Sequence, residues 1–480
     1  MRAGSIGLMG VLHLAMVTAQ AQEPAQKEQA TTKLPSMTVT AEQQPVATLG
    51  IEAAREEVNL TPGGVTLVDG EILRDRNISS LADMLRYVPG LFIQSDSGGD
   101  GIFFSSRGSN LDATDFDMNG IMLLQNGLPV TSADGNNHNR IIDPLSTRYA
   151  IVARGANGMK YGASTLGGAI NFINPTAYDM PGVRLYLNGG SFGQVQGRAT
   201  VSKVFDNRFD GLLTVETKQR QGYRSHNQSR RTGAYANAGW RISQSLGTRI
   251  YLNYINNNQQ LPGSLTRAQF KDDPDQAGTN ALKGNFQIDV EAFRVANKTT
   301  WQIDEHQSLD FGVSYEKQRL YHPIVADFSV PGVPDEFIAF DGLLIETDHR
   351  DLGAVVRYEH QIANHNLLFG ANYRIGDVKG QQYGNDHGHP GGLQALINQH
   401  ANTLQAYVMD RWNIGNDDWT LVPAVQIVNA NRELDNTDVD DFGVETENHT
   451  DGHYFGVNPR LGLLYHVQSG FDLFANVSRL

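Results

Sequence analysis

The chain contains no cysteine. Disulfides, thiolate catalysis, cysteine-ligated zinc and iron–sulfur clusters are therefore excluded, and stability must come from burial and hydrogen bonding. Long apolar runs are also missing: beyond the N-terminus nothing nears the roughly 20 apolar residues that a membrane-spanning helix needs. Positive charge is scarce, with 38 Lys plus Arg against 52 Asp plus Glu and a net charge of −14 over 480 residues. Nucleic-acid binding requires clustered Lys and Arg to meet phosphates, so that class is set aside. What the chain has in plenty is glycine, 50 residues, beside 20 Phe and 17 Tyr. That combination points to strands and turns. A membrane role stays open, because a barrel strand needs only about 9–11 residues of alternating character.

At the N-terminus Arg2 precedes an apolar stretch from Ile6 to Val17 that closes on Ala19-Gln20-Ala21. This order reads as a secretory signal peptide over residues 1–21, cleaved after Ala21. Residues 22–50 hold no aromatic side chain and read as a tether. Inside it, Met37, Thr38, Val39, Thr40 and Ala41 follow Pro35 as a short extended segment. By composition it is either plain linker or a strand suited to joining another protein's sheet edge.

Residues 51–178 read as an α/β unit. Ser80 opens a helix with Asp83 as its capping-box partner, and Leu81, Met84, Leu85 and Val88 form one apolar face. Pro89-Gly90 stops it. Apolar runs at Ile121–Leu124 and Tyr149–Ala153 read as strands.

From residue 179 to 480 the period becomes two. Leu309, Phe311, Val313 and Tyr315 oppose Asp310, Gly312 and Ser314, and Leu367, Phe369, Ala371 and Tyr373 oppose Asn366, Gly370, Asn372 and Arg374. About 13 such segments follow one another. Short turns such as Phe205–Arg208 alternate with long polar excursions, expected as loops, at Gln259–Lys283, His322–Gly342, Val378–Ala401 and Asn431–Gly452. This rhythm is that of an outer-membrane barrel. The expected fold is therefore mainly β, a transmembrane antiparallel β-barrel behind an N-terminal α/β unit.

Several stretches together carry a resemblance. Leu81–Leu91 (LADMLRYVPGL), Ser105–Asn110 (SSRGSN), Asn119–Val130, Val152–Phe172 and the upstream Met37–Ala41 (MTVTA) resemble the plug domain and TonB box of TonB-dependent outer-membrane receptors. The resemblance implies that the α/β unit plugs a barrel lumen. It implies that Met37–Ala41 bind TonB of the TonB-ExbB-ExbD complex by strand addition, and that transport is driven from the inner membrane by proton-motive force. Barrels of this kind have 22 strands and are plugged. About nine strands, or roughly 200 residues, would then be absent, and the barrel is expected to be C-terminally incomplete. Gly162, Gly167 and Gly168 suit close backbone approach. Arg107 and Arg154 are expected to pair with carboxylates between plug and wall. Related receptors that also signal carry a further domain before the TonB box, and the dozen or so residues between Ala21 and Leu34 are too few for one.

The resemblance further implies a monomeric, non-enzymatic receptor in the outer membrane of a Gram-negative bacterium, in contact with its lipid and needing no cofactor. Its cargo would be a ferric siderophore or similar metal chelate. Phe103–Asn110 and Leu261–Phe270 look most like the iron-chelate branch. Ligand contacts are expected where plug apices meet outward loops. They come from Asp134, Asn136, Asn137, His138 and Arg140, with Arg319, Tyr321 and His322 from the barrel, although each is equally readable as a solvated loop residue. His387 and His389, near Asp386, have a spacing able to ligate a transition metal, or are exposed turn residues. Free or chelated zinc, copper or nickel, and cobalamin, are thus the alternative cargo. Two different classes also remain: a passive porin, which needs neither plug nor TonB box, and a secreted all-β enzyme, for which no carboxylate pair stands out.

Overall fold

The computed structural model describes residues 50–480 apart from 75–77, 79, 96–98, 110–118, 138–139, 141, 163–165, 207, 330–338, 416–417, 441, 469 and 480. The expected signal peptide, the segment Met37–Ala41 and His138 lie outside the described residues.

The N-terminal unit begins with α1 (Ile51–Asn59), β1 (Val65–Asp69), α2 (Gly70–Arg74) and α3 (Leu81–Leu85). Ser80 and Asp83 form the capping box of α3, so the short helix starts where two orphan backbone donors are satisfied reciprocally. Strands β2 (Leu91–Ser95), β3 (Ile102–Ser106), β4 (Met122–Gln125), β5 (Leu128–Pro129), β6 (Tyr149–Arg154) and β7 (Gly168–Ile173) follow. Five of the seven form one sheet in the order β1-β6-β7-β4-β5, with β4 and β7 parallel, while β2 and β3 pair as a separate hairpin. Alternation divides the core between the two faces of this sheet. Leu123, Val152, Ile170 and Phe172 pack with Leu81, Leu85 and Phe104 on one side. On the other, Met122, Leu124, Ile151 and Ala169 pack with Ala54 of α1.

The second part is a single antiparallel sheet. Its strands are β8 (Gly182–Gly190), β9 (Gln194–Phe205), β10 (Phe209–Arg220), β11 (Ser229–Arg241), β12 (Leu246–Gln260), β13 (Gln287–Gln302) and β14 (Gln307–Val325). After a small ribbon, β15 (Phe328–Ser329) with β16 (Ala339–Phe340), come β17 (Leu343–Ile362), β18 (His365–Asp386), β19 (His389–Ile414), β20 (Trp419–Val439), β21 (Glu445–Gln468) and β22 (Phe471–Ser478). Thirteen strands lie side by side in chain order, with β8 and β22 as the two edges. That is the number the alternation predicts.

Two of the expected loops are not loops. Val378–Ala401 and Asn431–Gly452 continue the ladders of β18–β19 and β20–β21, with Val378 opposite Gln399 and Asp435 opposite His449. These strand ends are mostly polar, and their few apolar residues, such as Leu393, Leu396 and Ile397, fall on both faces, so no period-two alternation marks them. The excursion after β12 does leave the sheet, and folds into α4 (Arg267–Asp272), capped by Thr266, and α5 (Thr279–Lys283).

The two faces of the wall have opposite chemistry. Leu309, Phe311, Val313 and Tyr315 on β14 are accompanied on one face by Leu352 and Val356 of β17 and by Phe369 and Tyr373 of β18, and the larger of these stand exposed. The face opposite carries Ser314, Glu316, Asn372 and Arg374, all buried against the N-terminal unit. Apolar outside and polar inside is the inverse of a soluble protein and the pattern of a lipid-embedded wall. The chain's 4 Trp, at 240, 301, 412 and 419, all stand at the short-turn end of the outer face. There Phe209 stacks on Trp240 at 5.9 Å and Trp419 on Tyr465 at 4.2 Å. Amphipathic rings collected at one level form the girdle expected at a membrane–water boundary.

Candidate functional site: the interface between the N-terminal unit and the wall

Inner-face side chains are mostly polar, so the N-terminal unit meets them largely through hydrogen bonds and ion pairs, beside two small apolar patches where Met159 packs on Leu368, Tyr407, Met409 and Val422 and Leu128 packs on Ala296 and Val355. Three groups of charges do this. At the first, the Asp143 carboxylate of the N-terminal unit pairs with Arg198 of β9 and lies 3.2 Å from Arg231 of β11. Asp100 reaches the same Arg231 at 3.1 Å and Lys218 of β10 at 3.0 Å. Glu216 of β10 completes it, at 2.5 Å from Arg198 and 2.8 Å from Arg231. Three carboxylates face three cations, so the group is neutral, and Arg231 is only 1% exposed.

At the second, Arg140 pairs with Glu316 of β14 and, at 2.6 Å, with Asp351 of β17. Glu316 is shared with Arg294 of β13 at 3.3 Å, and the Ala133 amide donates to Asp351 at 3.1 Å. At the third, Glu57 of α1 accepts from Lys160 at 2.8 Å and from Arg411 of β19 at 2.6 Å.

Burial by itself pushes the Asp143 carboxyl upward, but Arg198 and Arg231 outweigh it and hold it below the ordinary carboxylate range. Asp100 is likewise raised by burial and lowered further by Arg231 and Lys218, and Glu57 by Arg411 and Lys160. Burial disfavours the Arg140 cation, yet Asp351 and Glu316 leave it more firmly protonated than a free arginine. All four groups are therefore ionised at neutral pH. Removing one member of such a buried set leaves its partners uncompensated, at about 3–5 kcal/mol.

Elsewhere the wall grips backbone rather than charge. Arg357 donates to the Gly127 carbonyl at 3.2 Å, Arg374 to Ser132 at 2.8 Å, Arg432 to Asp134 at 2.9 Å and Arg460 to Ala156 at 3.0 Å. Arg374 and Arg432, next to the apex Thr131–Asn137, have no carboxylate partner among the described residues. At the place where the N-terminal unit faces the long-hairpin end of the wall, the Asp134 carboxylate acts on both without forming an ion pair with either.

Residues 57–169 match the family described as TonB-dependent Receptor Plug Domain, and residues 218–480 match TonB dependent receptor-like, beta-barrel. The chain belongs to the TonB-dependent receptor family. It is thus a chain of receptor and transporter type, of the outer membrane. Among curated relatives, the hemin receptor of Yersinia enterocolitica is 26% identical over 217 residues, covering 42% of this chain and 30% of the relative. The ferric-pyoverdine M114 receptor PbuA of Pseudomonas sp. (strain M114) is 25% identical over 174 residues, covering 35% of this chain and 20% of the relative. The chain thus matches less than a third of either relative's length. Of solved structures, the unliganded ferric citrate transporter FecA superposes with a TM-score of 0.74 at 17% identity, over 91% of this chain and 65% of that one. The ferric yersiniabactin uptake receptor FyuA of Yersinia pestis gives 0.68 at 15% identity, over 86% and 64%. These likenesses show a shared fold: the N-terminal unit is the plug and the sheet the barrel wall.

The residues singled out from sequence have the following places and contacts. Asn137 is fully buried, donates to the Ile121 carbonyl at 2.7 Å and accepts from Thr131 at 2.6 Å, so it staples the apex loop. Asp134 accepts from Ser132 and from the Asn136 amide within the same turn. Arg140 is engaged in the lock just described. Arg319 lies on the outer face, paired with Glu346 at 2.6 Å, and so points away from the lumen. Tyr321 donates to the Gly388 carbonyl at 2.6 Å, and the buried His322 ring contacts the Gln287 carbonyl at 2.6 Å. His387 occupies the β18–β19 turn at φ 53° with its ring against Asp386 at 2.8 Å. Among the described residues, the grouping with metal-ligand spacing is instead Glu433, Asp435 and His449, whose donor atoms lie within 4.8 Å on the exposed β20–β21 hairpin.

Arg107 and Arg154 do not pair with carboxylates among the described residues. Arg154 donates to Thr66 at 2.8 Å, and its charge is disfavoured by burial and by the neighbouring Arg107. The carboxylate contacts fall instead to Arg140 and to Asp100, Asp143 and Glu57. Sequence reasoning missed these three because an isolated acid carries no signal that its partner lies on the wall.

Proposed function

We propose that this chain imports a ferric chelate across the outer membrane, with TonB acting on Met37–Ala41 to displace the plug. The printed names of the relatives, hemin and ferric-pyoverdine receptors, support iron-bearing cargo. The observation that carries the reading is how the plug is held. Ion-pair groups and arginine–carbonyl bonds are specific in position, yet each breaks over a short displacement and reforms on return. Apolar plug–wall contact among the described residues is confined to small patches around Met159 and Leu128.

Arg374 and Arg432 beside the apex outnumber the one carboxylate, Asp134, that acts on both, and so favour an anionic chelate, with the apex turn at Asp134 and Asn136 as the first surface it meets. The Glu57 pair sits on α1, so among the described residues it is the first plug–wall ion pair that tension applied at Met37–Ala41 would reach.

Uptake of radio-iron presented as single chelates, by cells whose only such receptor is this chain, tests the reading. Deleting residues 37–41 abolishes uptake while surface binding persists. Uptake that continues unchanged without those residues would point to a passive pore instead.

A further inference from the structure

Along the middle of β12 and β13 the plug and the wall stand apart. Asn253 and Arg294 are register partners on the inner face there, next to Gln125 of β4. Asn253 donates to the Gln125 side chain at 3.5 Å and Arg294 to the Leu128 carbonyl at 3.5 Å, the outer limit of a hydrogen bond. On one flank, Lys218 of β10 reaches Asp100 at 3.0 Å and Asn237 of β11 donates to the Pro175 carbonyl at 3.0 Å. On the other, Asp351 of β17 holds Arg140 at 2.6 Å and Tyr407 of β19 donates to the Lys160 carbonyl at 2.6 Å. Loose polar contacts in this sector thus lie between tight ones.

Two adjoining cavities occupy the gap. One of about 10 Å³ lies among Gln125, Asn126, Tyr235, Tyr251, Asn253 and Arg294. The other, of about 20 Å³, lies among Gln125, Asn253, Arg294, Glu316 and apolar side chains. A buried water needs about 10–15 Å³ and two to four polar partners, and both cavities meet these terms. Gln125 is 6% exposed, and its amide nitrogen donates to no described group. A buried donor without an acceptor is costly, and water in the adjoining cavity supplies one. The apolar contact of this sector is the single side chain of Leu128 against Ala296 and Val355.

We propose that water bridges Gln125 to Asn253, Arg294 and Glu316 across these cavities, and that the plug parts from the wall first along this seam. The proposal rests on the reading that TonB displaces the plug, and adds where the passage opens: between β4 on one side and β12 and β13 on the other. A bridging water gives up one partner and takes another as two surfaces slide, so separation starts here without breaking an ion pair. The surfaces uncovered carry amide, phenol and guanidinium groups, which suit a hydrated cargo.

Two measurements test it. A high-resolution crystal structure of the full wild-type chain shows ordered water in both cavities, within hydrogen-bond distance of Gln125. Dry cavities, or cavities closed by side chains, would overturn the proposal. The second measurement uses single cysteines in a chain that has none of its own: Ala296→Cys in the seam, with Thr214→Cys on β10 and Thr403→Cys on β19 outside it. All three positions are buried in the resting protein. In cells whose only such receptor is this chain, labelling by a small charged methanethiosulfonate is followed with and without hemin, ferric pyoverdine and ferric citrate, and iron uptake is measured alongside. Ala296→Cys reacts at least about ten-fold faster during uptake, as an open state raised from about 1% to about 10% of the population gives. Thr214→Cys and Thr403→Cys keep their resting rates, and deleting residues 37–41 removes the acceleration at Ala296→Cys. No acceleration there during measured uptake, or equal acceleration at Thr214→Cys or Thr403→Cys, would overturn the seam and leave the import reading standing. Absence of uptake from all three chelates, or uptake that persists without residues 37–41, would overturn the import reading and the seam with it.

Discussion

Arg411 of β19 donates to Glu57 of α1 at 2.6 Å, joining residues 354 positions apart in the chain. Lys160 of the plug reaches the same carboxylate at 2.8 Å. One side chain on the first helix therefore ties the start of the plug both to the plug's own body and to the wall.

Glu57→Gln leaves Arg411 and Lys160 facing each other with only the more distant Glu359 carboxylate as counter-charge. It is expected to cost about 2–4 kcal/mol, below the fully buried case because the site is partly open to solvent. In a double-mutant cycle, Arg411→Met made in the Glu57→Gln background costs less than Arg411→Met alone, with a coupling of about 1–3 kcal/mol read from denaturant midpoints. Additive losses would mean that the pair is not coupled.

Acid should loosen the plug in a defined window. Asp100, Asp143 and Glu57 all have carboxyl groups lowered in the folded protein. A depressed folded value means that their stabilisation is complete above the unfolded carboxyl range, near pH 4, and is lost as pH falls through the lower folded values. Protease sensitivity of the plug should be flat from pH 7 to about 5 and rise below about 4. Asp143→Asn, which leaves Arg198 and Arg231 short of a partner, should destabilise the plug at pH 7 by about 3–5 kcal/mol and flatten the acid response. A loss already complete at pH 5 would show that other groups control seating.

Gly162 has φ 79°, and a Cβ there would run into the Asn372 side chain on β18. Gly162→Ala is expected to cost about 1–3 kcal/mol through backbone strain and displacement of the wall contact. Asn372→Ala alone gives up its 3.1 Å bond to the Tyr161 carbonyl, about 1 kcal/mol, and should relieve part of the Gly162→Ala defect when the two are combined. Thermal midpoints of the four proteins check this.

The outer face can be tested with one charge. Val313→Arg, in the middle of the apolar band of β14, should destabilise the wall in lipid by about 2–4 kcal/mol, whereas Lys271→Glu on α4 should have almost no effect. Equal effects in folding titrations into vesicles would mean that this face does not meet lipid.

Much of this architecture is legible in the sequence because period-two alternation is a local property. Leu309, Phe311, Val313 and Tyr315 announce both a strand and its lipid face, and Ser80 with Asp83 announces the start of α3. The polar ends of β18 to β21 are not legible, since where both faces meet water nothing alternates. The plug–wall contacts are hidden for another reason. Arg140 finds Glu316 and Asp351 at separations of 176 and 211 residues, which only the curvature of the wall brings together. Arg319 and Tyr321 attract attention by residue type, but their parity on β14 sets them on the side opposite Glu316.

On the proposed function, import depends on displacement of the plug relative to the wall. Ala133 of the plug accepts from Thr403 of β19 at 2.8 Å, and the chain has no native cysteine, so Ala133→Cys/Thr403→Cys introduces the sole thiols. Radio-iron uptake from a chelate the receptor carries should stop when this pair is oxidised and return on reduction, with surface binding intact throughout. Full uptake with the cross-link complete would contradict the account.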